Sequence, residues 1–301
     1  MNIFAIVVTF HPDSVLLSNL LRTLSVQCAG IIVSNNGGEI EHVINGLALG
    51  ICSSERINLI DNHANIGIAA AQNVAISMAI HNGATHLVFF DQDSVIDDFL
   101  VLKLAESFTS CAKLNKVAAL GPIYTDEING FTYPVIKLNS MGFRDRIIPK
   151  ENSGLLSTSF IISSGMFTSV EIINAVGFMD EELFIDYVDT EWCLRCLNQG
   201  FVFYVDTNIQ MKHTIGNGVI SLLHWNLPVH SPARRYYRIR NAMLLFSKSH
   251  VPFILKLREV LINAIHQALI VVSSDRQNRM PQLSIWFKAM SDGVMYLVGR
   301  K

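Results

Sequence analysis

The chain has 301 residues, half of them hydrophobic and 16% charged, and its formal net charge is −2. This composition predicts a large buried core and excludes an intrinsically disordered chain. The charge balance excludes a general nucleic-acid binder, which would need a strongly basic face, so we expect no nucleic-acid partner.

Cysteine usage and the first residues indicate the compartment. The five cysteines are scattered, and only the last two form a C-x-x-C pair, without the second pair that a zinc site needs: Cys28, Cys52, Cys111, Cys193 and Cys196. Residues 1–10 lack the basic region of a signal peptide. The apolar stretch 251–273 is interrupted by charged and amide side chains, so we predict no membrane span there. We expect a cytoplasmic protein with reduced thiols.

Strands and helices alternate through the first half of the chain. Apolar runs of strand length occupy residues 3–9, 30–34, 57–61 and 85–90. Apolar residues at helical spacing occupy 14–25 and 68–80. This alternation predicts an α/β fold in which helices cover both faces of a mostly parallel sheet.

Polar residues follow each of these strands. They are Thr9 and Phe10, Ser34 and Asn35, Asp61 and Asn62, and Asp91 to Asp93. Because parallel sheets bind ligands at the carboxyl ends of their strands, we expect these residues to converge on one binding edge. No G-x-G-x-x-G or P-loop occurs, so neither a dinucleotide site of the Rossmann type nor a Walker-type NTPase is predicted.

Asp91 and Asp93 stand one residue apart at the end of a buried strand. Two carboxylates in this position repel each other unless a cation lies between them. Oxygen ligands suit Mg²⁺ or Mn²⁺, which proteins often hold together with substrate phosphates. The pair therefore indicates a metal site for a phosphate-bearing substrate, and the alternative is a solvated pair of loop acids.

Asn65 and Gly67 precede the alanine-rich helix of residues 68–80. Gly67 would let the backbone approach a ligand closely, and the start of the helix would favour a diphosphate. The alternative is that Asn65 is an ordinary helix cap.

A second group of acids, Asp186, Asp189 and Glu191, stands beside aromatic residues in the second half of the chain. If a helix begins at Val188, Asp189 and Glu191 lie in its first turn, where acids suit the helix dipole. Arg195 then forms an i,i+4 pair with Glu191. A capped amphipathic helix thus explains Glu191 and Arg195, but it explains less well why three acids crowd together, and one of them could serve as a base.

The C-terminal part is basic. Residues 231–241 hold four arginines and two tyrosines, which predict either contacts with a diphosphate or anionic lipid, or a basic helix start on the surface. Farther on, a helical stripe comprises Leu257, Val260, Leu261, Ala264 and Ala268. Two interpretations of the stripe stay open: a peripheral membrane contact, or a helical cap that packs on the domain or on a second subunit.

Six segments carry a family resemblance when they are taken in order. They are Val7 to Phe10, Asn65 to Asn73, Asp91 to Asp93, Ser164-Gly165, Gly177 to Glu181, and Phe184 to Arg195. In this combination the chain resembles the inverting family 2 glycosyltransferases of the GT-A fold, most closely the bacterial dTDP-rhamnosyltransferase group. The resemblance implies a GT-A domain over residues 1–245 and a helical extension over 246–301.

The resemblance also implies roles for matching residues. Asp91 and Asp93 match the D-x-D that binds Mg²⁺ or Mn²⁺, and His213 matches a late histidine that completes the metal site. Asp189 matches the general base, with Asp186 and Glu191 as rivals. The donor-binding positions are Thr9, Phe10, Ser34, Asn35, Asn65, Gly67 and Asp91. The acceptor-side or supporting positions are Gly165, Asp186, Glu191 and Arg195.

Two of these assignments have alternatives. Many relatives carry Asp where this chain has Ser34, and a serine can accept from the N3–H of a pyrimidine base only as a neutral group. His213 is a single histidine after a strand-like segment, and the alternative to a metal ligand is a hydrogen-bonded structural histidine.

The implied activity is transfer of L-rhamnose from dTDP-L-rhamnose, with inversion, onto a lipid-linked saccharide acceptor in surface polysaccharide or O-antigen synthesis. A UDP-hexose donor is the alternative within the enzyme class. A non-catalytic nucleotide-sugar-binding module is the alternative outside it. The expected partners are the donor, the acceptor, the inner face of the cell membrane and a second copy of the chain.

Overall fold

The computed structural model describes residues 1–50, 56–113, 115–126, 130–212, 219–222, 225–228 and 231–299. Its first half contains four strands, β1 (Ile3–Thr9), β2 (Gly30–Asn35), β3 (Ile57–Asp61) and β4 (His86–Asp91). They are parallel to one another and lie side by side in the order β3-β2-β1-β4. The predicted parallel sheet is therefore confirmed, and each predicted strand agrees with the observed one to within a residue.

The second half extends this sheet with mixed directions. Its strands are β5 (Val117–Asp126), β6 (Phe131–Thr132), β9 (Leu155–Thr158), β10 (Phe167–Ser169) and β11 (Val202–Lys212). From β4 the order continues β10-β5-β11-β9, and β6 pairs with β5. β10 runs antiparallel to both neighbours, whereas β11 is parallel to β5. Two hairpins lie apart, β7 (Val135–Leu138) with β8 (Arg144–Ile147), and β12 (Val219–Leu222) with β13 (Trp225–Pro228).

Within the described part of the chain, six helices cover the two faces of the sheet. They are α1 (Ser14–Gln27), α2 (Glu41–Gly50), α3 (Ile68–His81), α4 (Leu100–Ala112), α5 (Val170–Val176) and α6 (Val188–Asn198). One apolar core joins α1, α2 and α4 to the sheet, and a second core joins α3, α5 and α6 to its other face. Because successive residues of a strand point to opposite faces, a single strand such as β2 supplies Ile31 and Val33 to the first core and Ile32 to the second.

Three further helices, α7 (Pro232–Leu244), α8 (Phe253–Ser273) and α9 (Arg276–Gly299), pack against one another beyond the sheet. A small apolar cluster ties them to α6, with Leu194 on one side and Leu245, Val251 and Leu255 on the other. Over the described residues, none of the helices combines the length and the apolar character needed to cross a bilayer.

The helix α8 turns its polar side inward. The buried positions are mostly charged or amide residues, namely Leu255, Lys256, Glu259, Asn263, His266, Gln267 and Ile270. The predicted apolar stripe faces outward instead, with Leu257 45% exposed and Leu261 52% exposed. The interpretation in which this stripe packs on the domain is therefore wrong, because polar contacts take up the inner face.

Candidate active site

The carboxyl ends of β1, β2 and β4 lie side by side. Thr9 pairs in register with Asn35, and the preceding residue, Val8, pairs with Asp91. We call the residues at these strand ends the binding edge, comprising Thr9, Phe10, Ser34, Asn35, Asp91, Gln92 and Asp93. Short neighbouring strands thus bring together the polar residues that the sequence predicted to converge.

Thr9 and Asn35 close the turn after β2. Thr9 Oγ1 donates to Asn35 Oδ1 over 3.0 Å, and Gly37 N donates to the same oxygen over 3.2 Å. Asn35 Nδ2 donates to the carbonyl of Gly38 over 2.9 Å. Thr9 has no exposed surface, so its hydroxyl supports the binding edge from beneath.

Ser34, like Thr9, lies beneath the binding edge. It is fully buried, and its hydroxyl accepts a hydrogen bond of 2.9 Å from Asn62 Nδ2. The same Asn62 amide donates to Asn36 Oδ1 over 3.0 Å, and Asn36 Nδ2 donates to the carbonyl of Gly67 over 3.1 Å. These amide contacts connect the end of β2 to the start of α3.

The middle residue of the D-x-D joins two strand ends. Phe10 N donates to Gln92 Oε1 over 2.7 Å, and Gln92 Nε2 donates back to the Phe10 carbonyl over 3.2 Å. The Phe10 side chain is 48% exposed. Of the predicted donor-binding residues at the ends of β1 and β2, Phe10 thus presents a surface that a ligand can contact.

The charge of Asp93 affects the ionisation of Asp91, the first acid of the D-x-D. Burial first, and the charge of Asp93 second, raise the pKa of Asp91 to about 6, against an opposing effect of Arg234. A carboxylate that is costly to ionise beside a second, exposed carboxylate is stabilised by a divalent cation with oxygen ligands. Asp91 and Asp93 therefore fit Mg²⁺ or Mn²⁺ in charge and in ligand chemistry.

A complete protein-built metal site is not seen. Within the described ranges, no three His, Cys, Asp or Glu side chains gather in a metal-binding arrangement. His213, the predicted third ligand, lies outside the described residues. Two carboxylates suffice where phosphate oxygens and water supply the remaining ligands, as is usual for Mg²⁺.

Asp189 lies in the first turn of α6 and close to Asp91. Burial raises the pKa of Asp189 to about 6, and the charges of Asp91 and Asp186 add to this effect. The backbone N–H groups of Ser163 and Thr190 donate to its carboxylate over 3.3 and 2.8 Å and act in the opposite direction. A carboxylate with this pKa is ionised at neutral pH and is basic enough to accept a proton.

A short segment connects the D-x-D to Asp189. Ser94, directly after Asp93, places its hydroxyl 2.8 Å from that of Ser164. The preceding residue, Ser163, donates its N–H to Asp189. Gly165 follows with a φ of +83°, a conformation that favours glycine. The predicted supporting residue Gly165 thus lets this segment turn between the two acid groups.

The rival bases are paired with cations. Arg234 binds Asp186 through two nitrogens, with distances of 3.1 Å from Nε to Oδ2 and 3.1 Å from Nη2 to Oδ1. Glu191 is buried and lies 2.9 Å from Arg195 Nη2. Burial alone would raise the pKa of Glu191, but His250 and Arg195 outweigh it and lower that pKa.

Arg195 has a supporting role. Besides Glu191, it donates to the carbonyls of Val176 and Phe178 over 3.1 and 2.8 Å. These contacts join α6 to the end of α5 and to the segment after it. The structural interpretation of Glu191 and Arg195 therefore holds, and Asp189 is the acid of this group that has no cationic partner among the described residues.

The start of α3 differs from expectation. The carbonyl of Phe184 accepts hydrogen bonds from Ile68 N over 2.7 Å and from Ala69 N over 3.4 Å. A Cβ at Gly67 would lie 2.6 Å from the Phe184 ring, so this glycine serves a close approach within the protein. The expectation that a diphosphate binds at this helix start is therefore corrected, because the Phe184 carbonyl takes up the N–H groups that the phosphate would need. Asn65 is no helix cap either, because its Oδ1 accepts from Gly67 N over 3.0 Å and Gly67 is the capping position.

Comparison with known proteins decides the family. No protein-family model matches the chain. The chain is 38% identical over 299 residues to dTDP-rhamnosyl transferase RfbF of Shigella flexneri. The alignment covers 99% of this chain and 97% of the relative. The chain belongs to the bacterial dTDP-rhamnosyltransferase family. The resemblance drawn from the motifs is thereby confirmed.

Solved structures share the fold. The chain is similar to S. aureus TarS 1-349 in complex with UDP-GlcNAc, with a TM-score of 0.58 and 13% identity over 98% of this chain and 81% of that one. It is also similar to GalNAc-T7 with UDP, GalNAc and Mn²⁺, with a TM-score of 0.55 and 14% identity over 80% of this chain and 47% of that one. These neighbours are GT-A glycosyltransferases, and the predicted fold is confirmed.

Some residues of this glycosyltransferase site were missed in the sequence. Tyr124 donates to the carbonyl of Ser164 over 2.7 Å. Burial and the charges of Asp91 and Asp189 raise the pKa of Tyr124, so its hydroxyl keeps its proton. No local pattern marks Tyr124, because it stands on β5 and reaches the site only through the sheet order. The role of Gln92 could have been predicted. A long amide side chain at the end of a strand can form hydrogen bonds with the end of a neighbouring strand.

Proposed function

We propose that this enzyme transfers L-rhamnose from dTDP-L-rhamnose, with inversion and with the help of a divalent metal ion, onto a saccharide acceptor. The observation that carries the proposal is the juxtaposition of Asp91 and Asp189. They come from the two halves of the chain, yet the charge of Asp91 raises the pKa of Asp189, and the charges of both acids raise the pKa of Tyr124. The name of the Shigella relative supports the choice of donor.

In this proposal Asp91 and Asp93 would hold Mg²⁺ or Mn²⁺ at the place where the donor diphosphate binds. Bound there, the metal would act as a Lewis acid on the departing nucleoside diphosphate. Arg234 lies near enough to influence Asp91 and is 44% exposed, so its guanidinium can add a second positive charge next to the phosphates. The exposed Phe10 ring offers an apolar surface to the nucleoside.

Asp189 removes the proton of the acceptor hydroxyl. The hydroxyl oxygen attacks the anomeric carbon from the face opposite the diphosphate, a new C–O bond forms, and the bond between the anomeric carbon and the phosphate oxygen breaks. The proton goes to Asp189 and the electron pair leaves with the diphosphate. One displacement inverts the anomeric centre, and no covalent intermediate on the protein is needed.

Calorimetry with a panel of nucleotide sugars tests the donor. We expect dTDP-L-rhamnose to bind more tightly than UDP-hexoses, and we expect chelation of divalent metal to weaken its binding. Tighter binding of a UDP-hexose would favour the alternative donor. Equal binding of every donor, with or without metal, would contradict the proposed site.

A non-catalytic binding module would use Asp91 and Asp93 in the same way but would have no use for a base. Asp189 carries a raised pKa and no cationic partner among the described residues, which favours the enzyme. Release of dTDP from dTDP-L-rhamnose in the presence of a saccharide acceptor separates the two, since a binding module releases none.

We further propose that the acceptor is lipid-linked and that the outer face of α8 and α9 contacts an anionic membrane. Both helices carry large exposed apolar side chains, including Leu257, Leu261 and Ile265 on α8 and Phe287 and Val298 on α9. Residues 246–301 contain eight Lys and Arg against three Asp and Glu, whereas residues 1–245 contain 15 against 22. An apolar face in a basic segment is attracted to an anionic leaflet, and the same charge disfavours pairing with a second copy.

Vesicle flotation tests this contact. The protein should float with vesicles that contain phosphatidylglycerol, and Leu261→Glu should weaken flotation more than Val26→Glu does. Val26 is the matched control because it is 71% exposed on α1, away from the extension. A dimer that Leu261→Glu dissociates, with no flotation of the wild type, would show that a second copy covers this face.

A further inference from the structure

The loop before Asp189 has an unusual backbone. Phe184, Asp186 and Tyr187 have φ values of +62°, +63° and +65°, although none of them is glycine. Such conformations are costly for residues other than glycine, so they persist only where surrounding contacts impose them. We call residues 184–189 the base loop.

The helix α7 imposes part of this shape. The side-chain amide of Asn241 donates to the carbonyls of Leu183, Ile185 and Asp186 over 2.6, 2.8 and 3.2 Å. The Phe184 ring stacks on Tyr237, with ring centroids 4.4 Å apart. These contacts fix the first part of the base loop, before Tyr187.

The helix α8 holds Tyr187. The Tyr187 hydroxyl donates to Glu259 Oε2 over 3.0 Å and accepts from Asn263 Nδ2 over 2.8 Å. Burial and the charge of Glu259 raise the pKa of Tyr187, so the hydroxyl keeps the proton that it donates. Arg144 anchors the Glu259 carboxylate in turn, with 3.3 Å between Nη1 and Oε1.

A second buried contact fixes Asn263. Arg235 on α7 is fully buried, and its Nη1 donates to Asn263 Oδ1 over 3.4 Å while its Nη2 donates to the Asn263 carbonyl over 3.3 Å. Arg235 Nε donates to Gln267 Oε1 over 3.1 Å. The polar inner side of α8, which is unusual for a packed amphipathic helix, thus forms a network that ends at the Tyr187 hydroxyl.

Tyr187 directly precedes α6, and its carbonyl accepts from Glu191 N over 2.8 Å in the first helical turn. A rotation of the Tyr187 backbone therefore moves the turn that carries Asp189. We propose that Tyr187 is a positioning residue for Asp189, and that Glu259 and Asn263 in the C-terminal extension set its place. This proposal rests on the proposed role of Asp189 as the base.

The position of Asp189 determines which charges surround its carboxylate, and it also determines whether the carboxylate can reach the acceptor hydroxyl. The titratable groups that interact with it are Asp91 from β4, Asp186 from the base loop, Tyr124 from β5 and Cys193 from α6 itself. Arg234 from α7 acts on this group through Asp186 and Asp91. A base loop that loosens would admit water, and the apparent pKa of the base would fall from about 6 toward that of an ordinary Asp.

The experiment compares Tyr187→Phe with a matched loss of a hydroxyl. Tyr236 is the control, because its hydroxyl also donates to a carboxylate of the extension, Asp292 Oδ2 at 2.5 Å, and the loss of that hydroxyl leaves in place the Tyr237 ring that stacks on Phe184. We expect Tyr187→Phe to lower kcat about tenfold or more while the donor Kd changes less than about twofold. The acid limb of its kcat profile should also move to lower pH, and Tyr236→Phe should show neither effect.

Asn263→Ala provides a second variant that leaves Tyr187 in place, and it should lower kcat in the same way. The positioning role is wrong if Tyr187→Phe and Asn263→Ala retain full kcat while Asp189→Asn is inactive. It is also wrong if kcat falls equally in Tyr236→Phe. Full turnover by Asp189→Asn would instead contradict the base itself, so the two failures can be told apart.

Discussion

The binding edge and the base loop are built in different ways. The ends of β1, β2 and β4 meet because neighbouring parallel strands place them there, and hydrogen bonds such as Thr9 to Asn35 and Gln92 to Phe10 connect adjacent ends. The base loop instead takes a costly backbone shape that helices from the end of the chain impose, through Asn241 and Asn263. Changes at the binding edge should therefore alter donor binding or its metal dependence, with or without a loss of turnover, whereas changes around the base loop should alter turnover and leave donor binding nearly unchanged.

The largest effect should come from the acids of the binding edge. Asp91→Asn removes a charged ligand of the proposed metal, and we expect turnover to fall about 10³-fold, since charge stabilisation by a metal is worth several kcal/mol. The dependence of donor binding on Mg²⁺ or Mn²⁺ should weaken in the same variant. Asp61→Asn is the matched control, because Asp61 stands at the end of β3, beyond the proposed ligands. Wild-type turnover by Asp91→Asn would contradict the metal role.

The value of kcat should depend on pH through Asp189, the last residue of the base loop. Because Asp189 must be ionised to accept a proton, kcat should rise as the pH passes through about 6 and then level off. Saturating metal keeps Asp91 ionised, so the profile measured under that condition reports the base. A kcat that stays constant from about pH 5 to about pH 8 would show that no group with this pKa takes the proton.

The contact between the two regions can be tested at Gly67. An added Cβ would meet the Phe184 ring at 2.6 Å, whereas Gly200, which has a similar positive φ, has no neighbouring atom within 4 Å. Both Gly→Ala changes carry the cost of a positive φ, and this cost is higher at Gly67, because its ψ of 162° lies in a region that essentially only glycine adopts. Gly67→Ala should lose about 1–3 kcal/mol more in the free energy of unfolding, because it overpacks the base loop. Denaturant unfolding measures the difference, and equal losses would refute the close packing.

The smallest effect should come from Gln92. Gln92→Ala removes both hydrogen bonds to the Phe10 backbone. We expect the KM for the donor to rise about threefold to tenfold with kcat nearly unchanged, since each bond contributes about 0.5–1.5 kcal/mol. Steady-state kinetics checks this, and a fall in kcat at constant KM would place Gln92 in the chemical step instead.

The sequence predicts the binding edge better than the base loop for physical reasons. Apolar runs such as residues 30–34 are buried on both faces, so their strand character and their polar ends are visible locally. The short strands β6, β9 and β10, of two to four residues, have no such signal. The antiparallel place of β10 between β4 and β5 depends on contacts between distant parts of the chain.

The extension shows a second limit of prediction. Helical periodicity identified the apolar stripe on α8, but periodicity does not reveal which side faces the protein. The buried partners of Glu259 and Asn263 decide that, and they include Tyr187, far away in sequence. The positive φ of Tyr187 is equally invisible, because a tyrosine in the left-handed region is uncommon and depends on its contacts.

The central claim is that Asp189 is the base beside a metal-held donor, and Asp189→Asn tests it most directly. Turnover, donor binding and thermal unfolding should be measured on one preparation at about pH 8. We predict a loss of about 10²–10⁴-fold in kcat with an unchanged donor Kd. The variant should also be more stable by about 1–3 kcal/mol, because the folded-state pKa of Asp189 lies above its unfolded value and ionisation costs stability as the pH rises through about 6. Wild-type kcat in a folded Asp189→Asn variant would contradict the account.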